Sequence, residues 1–261
     1  MRYLLVFICF FCSSFSNSEY RFIHSIPFTG VKSFTTDNLG LSYVVAGNQL
    51  LQFDSQGKPL AFFSESGLGE LRSVDAGNPL KILLFYPDFA RIIILNSKLS
   101  VQATVNLREA GIEQPVLACN SLNEGYWFYD RQDYQLKKMD LNLRISFRSQ
   151  DLLSLTGKNL QPNFIIESGS YVYMNNPEEG IMMFDRFGNY YKTVPVTGLT
   201  DFQVRENEIL FVRDNKFKSI NIRSGLENVI QIPEHETLLQ ARIEQHQLYL
   251  LTSDSLKFYS F

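Results

Sequence analysis

Five stretches of the sequence gather polar and charged side chains closely enough to bind or react. They are Tyr86-Pro87-Asp88, Asp130-Arg131-Gln132-Asp133, Asn175-Asn176-Pro177-Glu178-Glu179, Arg213-Asp214-Asn215-Lys216 and Thr252-Ser253-Asp254. If folding brought them to one face, Asp88, Asp130, Arg131, Asp133, Glu178, Glu179, Asp214 and Asp254 would form a low-dielectric cluster rich in carboxylates. Such a cluster suits a cation, a sugar or a basic peptide. The bland alternative is a set of solvated loops, because connecting segments are polar for generic reasons.

No other constellation adds catalysis. His24, His235 and His246 lack the i, i+2 or i, i+4 spacing of a metal site. Cys119 ends the apolar run Val116-Leu117-Ala118 with no base beside it, which reads as an inert buried thiol. Glu167-Ser168-Gly169-Ser170-Tyr171 lacks the Gly-x-Ser-x-Gly elbow of a serine hydrolase. Asp54 to Gly57 and Asp185 to Gly188 offer one carboxylate each, whereas calcium takes six or more oxygens; they read as Asx turns. Trp127, with Tyr126, Tyr129 and Tyr134, reads as packing between sheets rather than a sugar platform. No catalytic residue, metal ligand or cofactor is expected.

The elements that must position these loops are short strands in a repeating order. Leu50-Leu51-Gln52-Phe53 leads through Asp54-Ser55-Gln56-Gly57 to Leu60-Ala61-Phe62-Phe63, a strand, a tight turn and a strand. Looser copies follow, and their third-strand ends at Phe53, Leu95, Met139, Phe184, Ile222 and Tyr259 are separated by 42, 44, 45, 38 and 37 residues. A four-strand unit at that period is a β-propeller blade. Glycine is missing from the corresponding turns of units two and three. The first strand of unit two is expected at Leu71–Val74 and the fourth of unit five at Val229–Ile232. A short helix is expected at Gln150–Leu155, with Leu152, Leu153 and Leu155 capping the core, and a helical turn at Arg108–Gly111.

Unit six stops one strand short, and a spare strand, Tyr20 to Phe28, precedes unit one. Pairing the two closes the ring and removes an exposed edge. The expected fold is therefore an all-β, six-bladed β-propeller over residues 19–261, one domain, closed by the N-terminal strand. In this blade grammar the chain resembles six-bladed propellers of the NHL/TolB-like kind. An outer-membrane barrel is disfavoured because it needs strands of about 9–11 residues with lipid-facing alternation. An immunoglobulin-like sandwich predicts a Trp–disulfide core and irregular spacing.

The chain opens with Met1-Arg2, an apolar run from Tyr3 to Cys12, and small polar residues to Ser18. That is the layout of a secretory signal peptide over residues 1–18, too short to span a bilayer. Cleavage is expected before Asn17 or Glu19; a buried strand is the alternative, and Phe10-Phe11 before Cys12 argues against a lipoprotein. Removal of those residues leaves 243 and moves the formal net charge from −3 to −4. Such an acidic balance argues against nucleic acid as a partner. Only Cys119 then remains, so no internal disulfide can form, and core packing alone must hold an exported protein. The expected function is a non-catalytic monomer in a bacterial periplasm or at the cell surface, without a membrane span. It would bind a protein or cell-envelope partner through the loops entering the first strands and joining second to third. The alternative is a hydrolase or lactonase-type enzyme using carboxylates at the channel mouth, with a divalent metal.

Overall fold

The computed structural model describes residues 20–28 and 30–261, so the expected signal peptide lies outside the described residues. Twenty-four strands form six four-stranded antiparallel sheets. The spare strand is β1 (Arg21–Pro27). Blade one holds β2 (Val31–Thr36), β3 (Ser42–Ala46), β4 (Gln49–Phe53) and β5 (Pro59–Ser64). Blade two holds β6 (Ser73–Asp75), β7 (Ile82–Tyr86), β8 (Arg91–Leu95) and β9 (Val101–Asn106). Blade three holds β10 (Pro115–Asn120), β11 (Tyr126–Asp130), β12 (Gln135–Met139) and β13 (Ile145–Arg148), and is followed by the helix α1 (Leu152–Thr156). Blade four holds β14 (Phe164–Ser168), β15 (Tyr171–Asn176), β16 (Gly180–Asp185) and β17 (Tyr190–Val194). Blade five holds β18 (Gln203–Arg205), β19 (Glu208–Arg213), β20 (Lys216–Asn221) and β21 (Glu227–Val229). Blade six holds β22 (Leu238–Glu244), β23 (Gln247–Thr252) and β24 (Ser255–Ser260), and β1 completes it as the fourth strand. This is a six-bladed β-propeller, closed as expected: Phe22 pairs with Tyr259 and His24 with Phe258.

A propeller has no single core. Each of six apolar clusters sits between two neighbouring blades, and the sixth joins blade six to blade one through Phe34, Val44, Tyr249 and Phe258. This explains why Arg91-Ile92-Ile93-Ile94-Leu95 lacks a polar face. Ile92 and Ile94 pack toward blade three, while Ile93 and Leu95 pack toward blade one. Both faces of a middle strand are buried, so the period-2 signal is apolar on both sides. Each such side chain contributes about 1.5–3 kcal/mol by leaving water.

The turns from third to fourth strand share one device. Asp54, Asn96, Asp140 and Asp185 each accept, through Oδ1, the amides two and four residues on. Asn221 accepts the amides of Arg223 and Ser224, two and three residues on. In the first four of these turns the fourth residue adopts positive φ, which Gly57 and Gly188 accept freely; in blade five the fifth residue, Gly225, does so. In blades two and three that place is taken by Leu99 (φ 57°) and Leu143 (φ 62°). A left-handed conformation costs a side chain with a Cβ about 1–2 kcal/mol. Leu99 offsets the cost by packing in the blade one–two cluster, whereas Leu143 is 40% exposed.

Three expectations shift, and the closing strand carries an irregularity. The first strand of blade two is Ser73–Asp75 rather than Leu71–Val74; Leu71 instead packs into the blade one–two core, and only the Arg72 amide continues the pairing, to the Phe85 carbonyl. The outer strand of blade five is Glu227–Val229, because the Asn221–Gly225 turn sets Glu227 opposite Ile220. Ile230 and Ile232, the apolar residues that suggested a later strand, pack into the blade five–six cluster. In α1 only Leu152 is buried; Leu155 is 38% exposed, and Asp151 caps the helix by accepting from the Leu153 and Ser154 amides. In β1 the register shifts between Phe22 and His24, so Ile23 and Ile26 pack inward while Phe22 and His24 stay exposed.

Leu143→Gly is expected to stabilise the protein by about 0.5–1 kcal/mol, since relief of left-handed strain outweighs the entropy glycine adds to the unfolded chain. Urea denaturation monitored by the emission of Trp127 reads the change; a lower midpoint would contradict it.

Candidate functional site

The first strand of each blade is innermost, so β2, β6, β10, β14, β18 and β22 surround the channel. A cavity of about 750 Å³ opens where these strands begin. Blades one, two, four, five and six contribute to its wall, including Lys32, Glu70, Arg72, Asp201, Asp214 and Arg242. Apolar side chains such as Phe34, Phe164 and Leu238 share the lining. A groove of about 400 Å³ lies beside it between blades two and three, lined by Glu70, Arg72, Asp88, Arg108, Glu113 and Arg131.

The eight residues singled out from sequence separate into distinct environments. Asp214 lines the central cavity, and Asp88 and Arg131 line the neighbouring groove. Asp130 is fully buried; it accepts the amides of Gln114, Glu113 and Gln132 and is 2.8 Å from Lys137 Nζ. Its carboxylate is enclosed by the loop it organises. Asp133 shares the same lysine at 2.6 Å. Glu179 pairs with Lys158 at 2.6 Å, and Glu178 is exposed. Asp254 accepts from the hydroxyls of Thr252 and Ser255 within its own turn. These last five line neither cavity.

The groups that crowd the channel came from the inner strands, not the loops. Neighbouring first strands lie side by side without a backbone ladder between them, and side chains bridge the gap. Asp75 on blade two accepts the Asn120 amide of blade three at 2.8 Å. Glu167 on blade four accepts the Leu122 amide and Trp127 Nε1 of blade three, both at 2.9 Å. Gln203 on blade five holds the main chain of Ile243 on blade six, accepting from its amide at 3.0 Å and donating to its carbonyl at 2.9 Å. Gln240 on blade six accepts the Phe34 amide of blade one and donates to Asp201. Glu244 joins Thr36 of blade one to Gln203 of blade five. The alternation Gln240-Ala241-Arg242-Ile243-Glu244 was the readable signal for a polar stripe. It falls within β22, where alternation of polar and apolar residues is also what an ordinary half-buried strand shows.

Burial pushes the carboxyls of Asp75, Asp201 and Glu244 above their ordinary values, and the Arg242 charge pulls each of them partly back. Burial also raises the Cys119 thiol, with Asp75 and Glu167 adding to the effect, so it stays protonated. The Trp127 ring packs in the blade three–four cluster, as expected, with Lys138 Nζ 5.6 Å from its centroid. None of the three histidines lines either cavity: His24 sits on Gly57 and His235 on the carbonyls of Pro233 and Asn215. Among the described residues, no group of three or more His, Cys, Asp or Glu is placed to hold a metal ion. Among the same residues, no helix is long and apolar enough to cross a membrane.

No protein-family model matches the chain, and no curated protein sequence matches it. Solved structures do. A catalytically inactive virginiamycin B lyase from Staphylococcus aureus with quinupristin superposes with a TM-score of 0.64 at 12% identity, covering 93% of this chain and 100% of that one. BamB from Moraxella catarrhalis gives 0.51 at 10% identity, covering 90% and 86%. BBS1N in complex with ARL6DN gives 0.52 at 15% identity, covering 84% and 74%. At these identities the likeness establishes the β-propeller fold and nothing finer.

Asp130→Ala is expected to cost about 1–3 kcal/mol by leaving three loop amides unpaired and Lys137 with Asp133 as its one remaining carboxylate, readable as a drop in the urea midpoint. A loss under 1 kcal/mol would return Asp130 to the list of available ligand groups. For Asp75, Asp201 and Glu244 the sign of the pH effect follows from their raised values. Each binds its proton more tightly folded than unfolded, so falling pH favours the fold between the raised value and the ordinary carboxylate range. Stability is expected to rise on mild acidification and then to fall as Glu70 and Glu227, held low by Lys32 and Lys218, become protonated. The double variant Asp201→Asn, Glu244→Gln should flatten the first limb in a series of denaturation curves against pH.

Proposed function

We propose that the chain is an exported, non-catalytic propeller of the NHL/TolB-like kind that binds a protein or cell-envelope partner through the face bearing the channel mouth. The bacterial periplasm or cell surface is its compartment. The cavity at the mouth carries this reading: about 750 Å³, walled by five blades, with charged and apolar side chains interleaved. Sites that accept a ligand or a partner's side chains combine apolar lining with a few placed polar groups in this way. Asp130, Asp133 and Glu179 pair with lysines and Asp254 with hydroxyls of its own turn, which suits a rigid presenting surface. The complex of BBS1N with ARL6DN supports partner binding as a use of the architecture. The lyase keeps an enzymatic use in view, and Asp201, a carboxyl raised by burial on the cavity wall, favours that second reading. A hydrolase or lactonase-type activity would use it with a divalent metal.

A photo-crosslinking residue at Asp214, on the mouth, and another at Asn123, in a turn at the opposite end of the channel, separate the possibilities. The first is expected to capture one envelope protein in a manner competed by unlabelled propeller, and the second to capture none. Equal capture from both, or stoichiometric zinc or calcium in the purified protein, would overturn the non-catalytic reading. Mass spectrometry of the exported protein is expected to find its N-terminus at Asn17 or Glu19; an intact Met1 would remove the export claim.

A further inference from the structure

Along β22, Gln240, Arg242 and Glu244 point to the channel at every second residue. The outer two are fully engaged. Gln240 joins Phe34 to Asp201, and Glu244 joins Thr36 to Gln203. Arg242, between them, is not. It is 5% exposed, its Nε has no hydrogen-bond partner, and its Nη2 lies 3.7 Å from Asp201 Oδ2, beyond hydrogen-bonding range. A guanidinium carries five donors in a planar fork and stays charged at any physiological pH. Left buried without an acceptor, the Arg242 Nε–H costs free energy that native structures rarely leave uncompensated.

The surroundings supply a field but no directional partner. Asp75, Asp201 and Glu244 all feel the Arg242 charge. They accept from neutral donors rather than from the guanidinium: Asp75 from the Gly77 and Asn120 amides, Asp201 Oδ2 from the Gln240 amide group, and Glu244 Oε1 from the Thr36 hydroxyl and the Gln203 amide group. Arg242 also lines the cavity, which leads outward past Lys32 and Arg72. Arg72 is exposed and, among the described residues, makes no ion pair.

We propose that Arg242 anchors a carboxylate-binding site at the floor of the channel mouth. A ligand carboxylate enters past Lys32 and Arg72 and accepts the two parallel hydrogen bonds of the guanidinium fork. A planar monoanion fits better than phosphate for two reasons. The fork matches carboxylate geometry, and three nearby carboxylates repel a second negative charge on the head group that the fork holds. The inference rests on the mouth being the ligand-binding face, and is independent of whether the ligand is a protein segment or a small acid.

The test follows the Arg Nε–Hε resonances of the ¹⁵N-labelled mature protein during titration with acetate, succinate, a triglutamate peptide and inorganic phosphate. The Arg242 resonance, assigned by its loss in Arg242→Lys, is expected to shift saturably with the carboxylates and little with phosphate. Arg242→Gln should weaken carboxylate binding by about tenfold or more, the usual worth of hydrogen bonds to a charged group. Arg72→Gln, which alters an exposed side chain and leaves the fold intact, should weaken it severalfold. Asp201→Asn, which removes a competing carboxylate, should strengthen it. No saturable shift with any carboxylate, undiminished binding in Arg242→Gln, or phosphate binding as tightly as succinate would each overturn the assignment. Carboxylate binding without crosslinked partner at residue 214 would refute the protein-binding reading and leave this site standing. A partner captured equally by wild type and Arg242→Gln, with no response to carboxylates, would do the reverse.

Discussion

The pairing of β1 with β24 is the contact on which the ring depends. Five blades are built from four consecutive strands, and hairpins make them locally. The sixth is assembled from the two ends of the described chain, with Arg21 opposite Ser260 and Pro27 opposite Ser255. This one ladder converts a row of sheets into a closed circle and covers the edge of β24 that would otherwise recruit another strand. It also completes the cluster in which Ile23 and Ile26 meet Phe258 and Phe53. Without it, the blade six–one interface would lose part of its apolar surface as well as its hydrogen bonds.

Closure creates a second problem, which the polar side chains of the inner strands answer. First strands of neighbouring blades cannot share a ladder, so their free amides and carbonyls need partners from elsewhere. Asp75, Glu167, Gln203, Gln240 and Glu244 reach across to main-chain or side-chain atoms of the next blade. These bonds are buried or part-buried, and one lost partner strands the other. The channel is therefore polar for a structural reason before any ligand is considered. Arg242 differs because it stands in the same stripe with its Nε unpartnered and only a long ion pair, 3.7 Å, to Asp201.

Much of the architecture was legible because propeller blades are local objects. The period of the third strands, the Asx residue that opens each turn, and the shortfall of one strand at Tyr259 are all short-range signals. The left-handed Leu99 and Leu143 show that the turn survives without its glycine when Asn96 and Asp140 supply the cap. Ile230 misled because an apolar residue records burial without saying whether a strand or a neighbouring blade provides it. The loop carboxylates were less readable still. Asp130 and Asp214 look alike in sequence, yet one is sealed over Lys137 and the other is exposed at the mouth. That difference depends on Gln114 and Lys137 converging on Asp130, contacts made across a loop and a strand turn. Arg242 was hidden for a related reason: its neighbours Asp75 and Asp201 come from blades two and five.

The direction of the closing strand gives the molecule a mechanical character. The first residue of β1 lies beside the last residue of β24, so tension applied between the two ends loads the ladder from one end. Hydrogen bonds that run perpendicular to antiparallel strands then part in succession, as in a zipper, rather than all sharing the load. Under such a pull blade six peels before any other blade feels the force, while a push or drag on the mouth is borne by the whole circumference. The propeller is thus weak along the line joining its ends and stiff across its face.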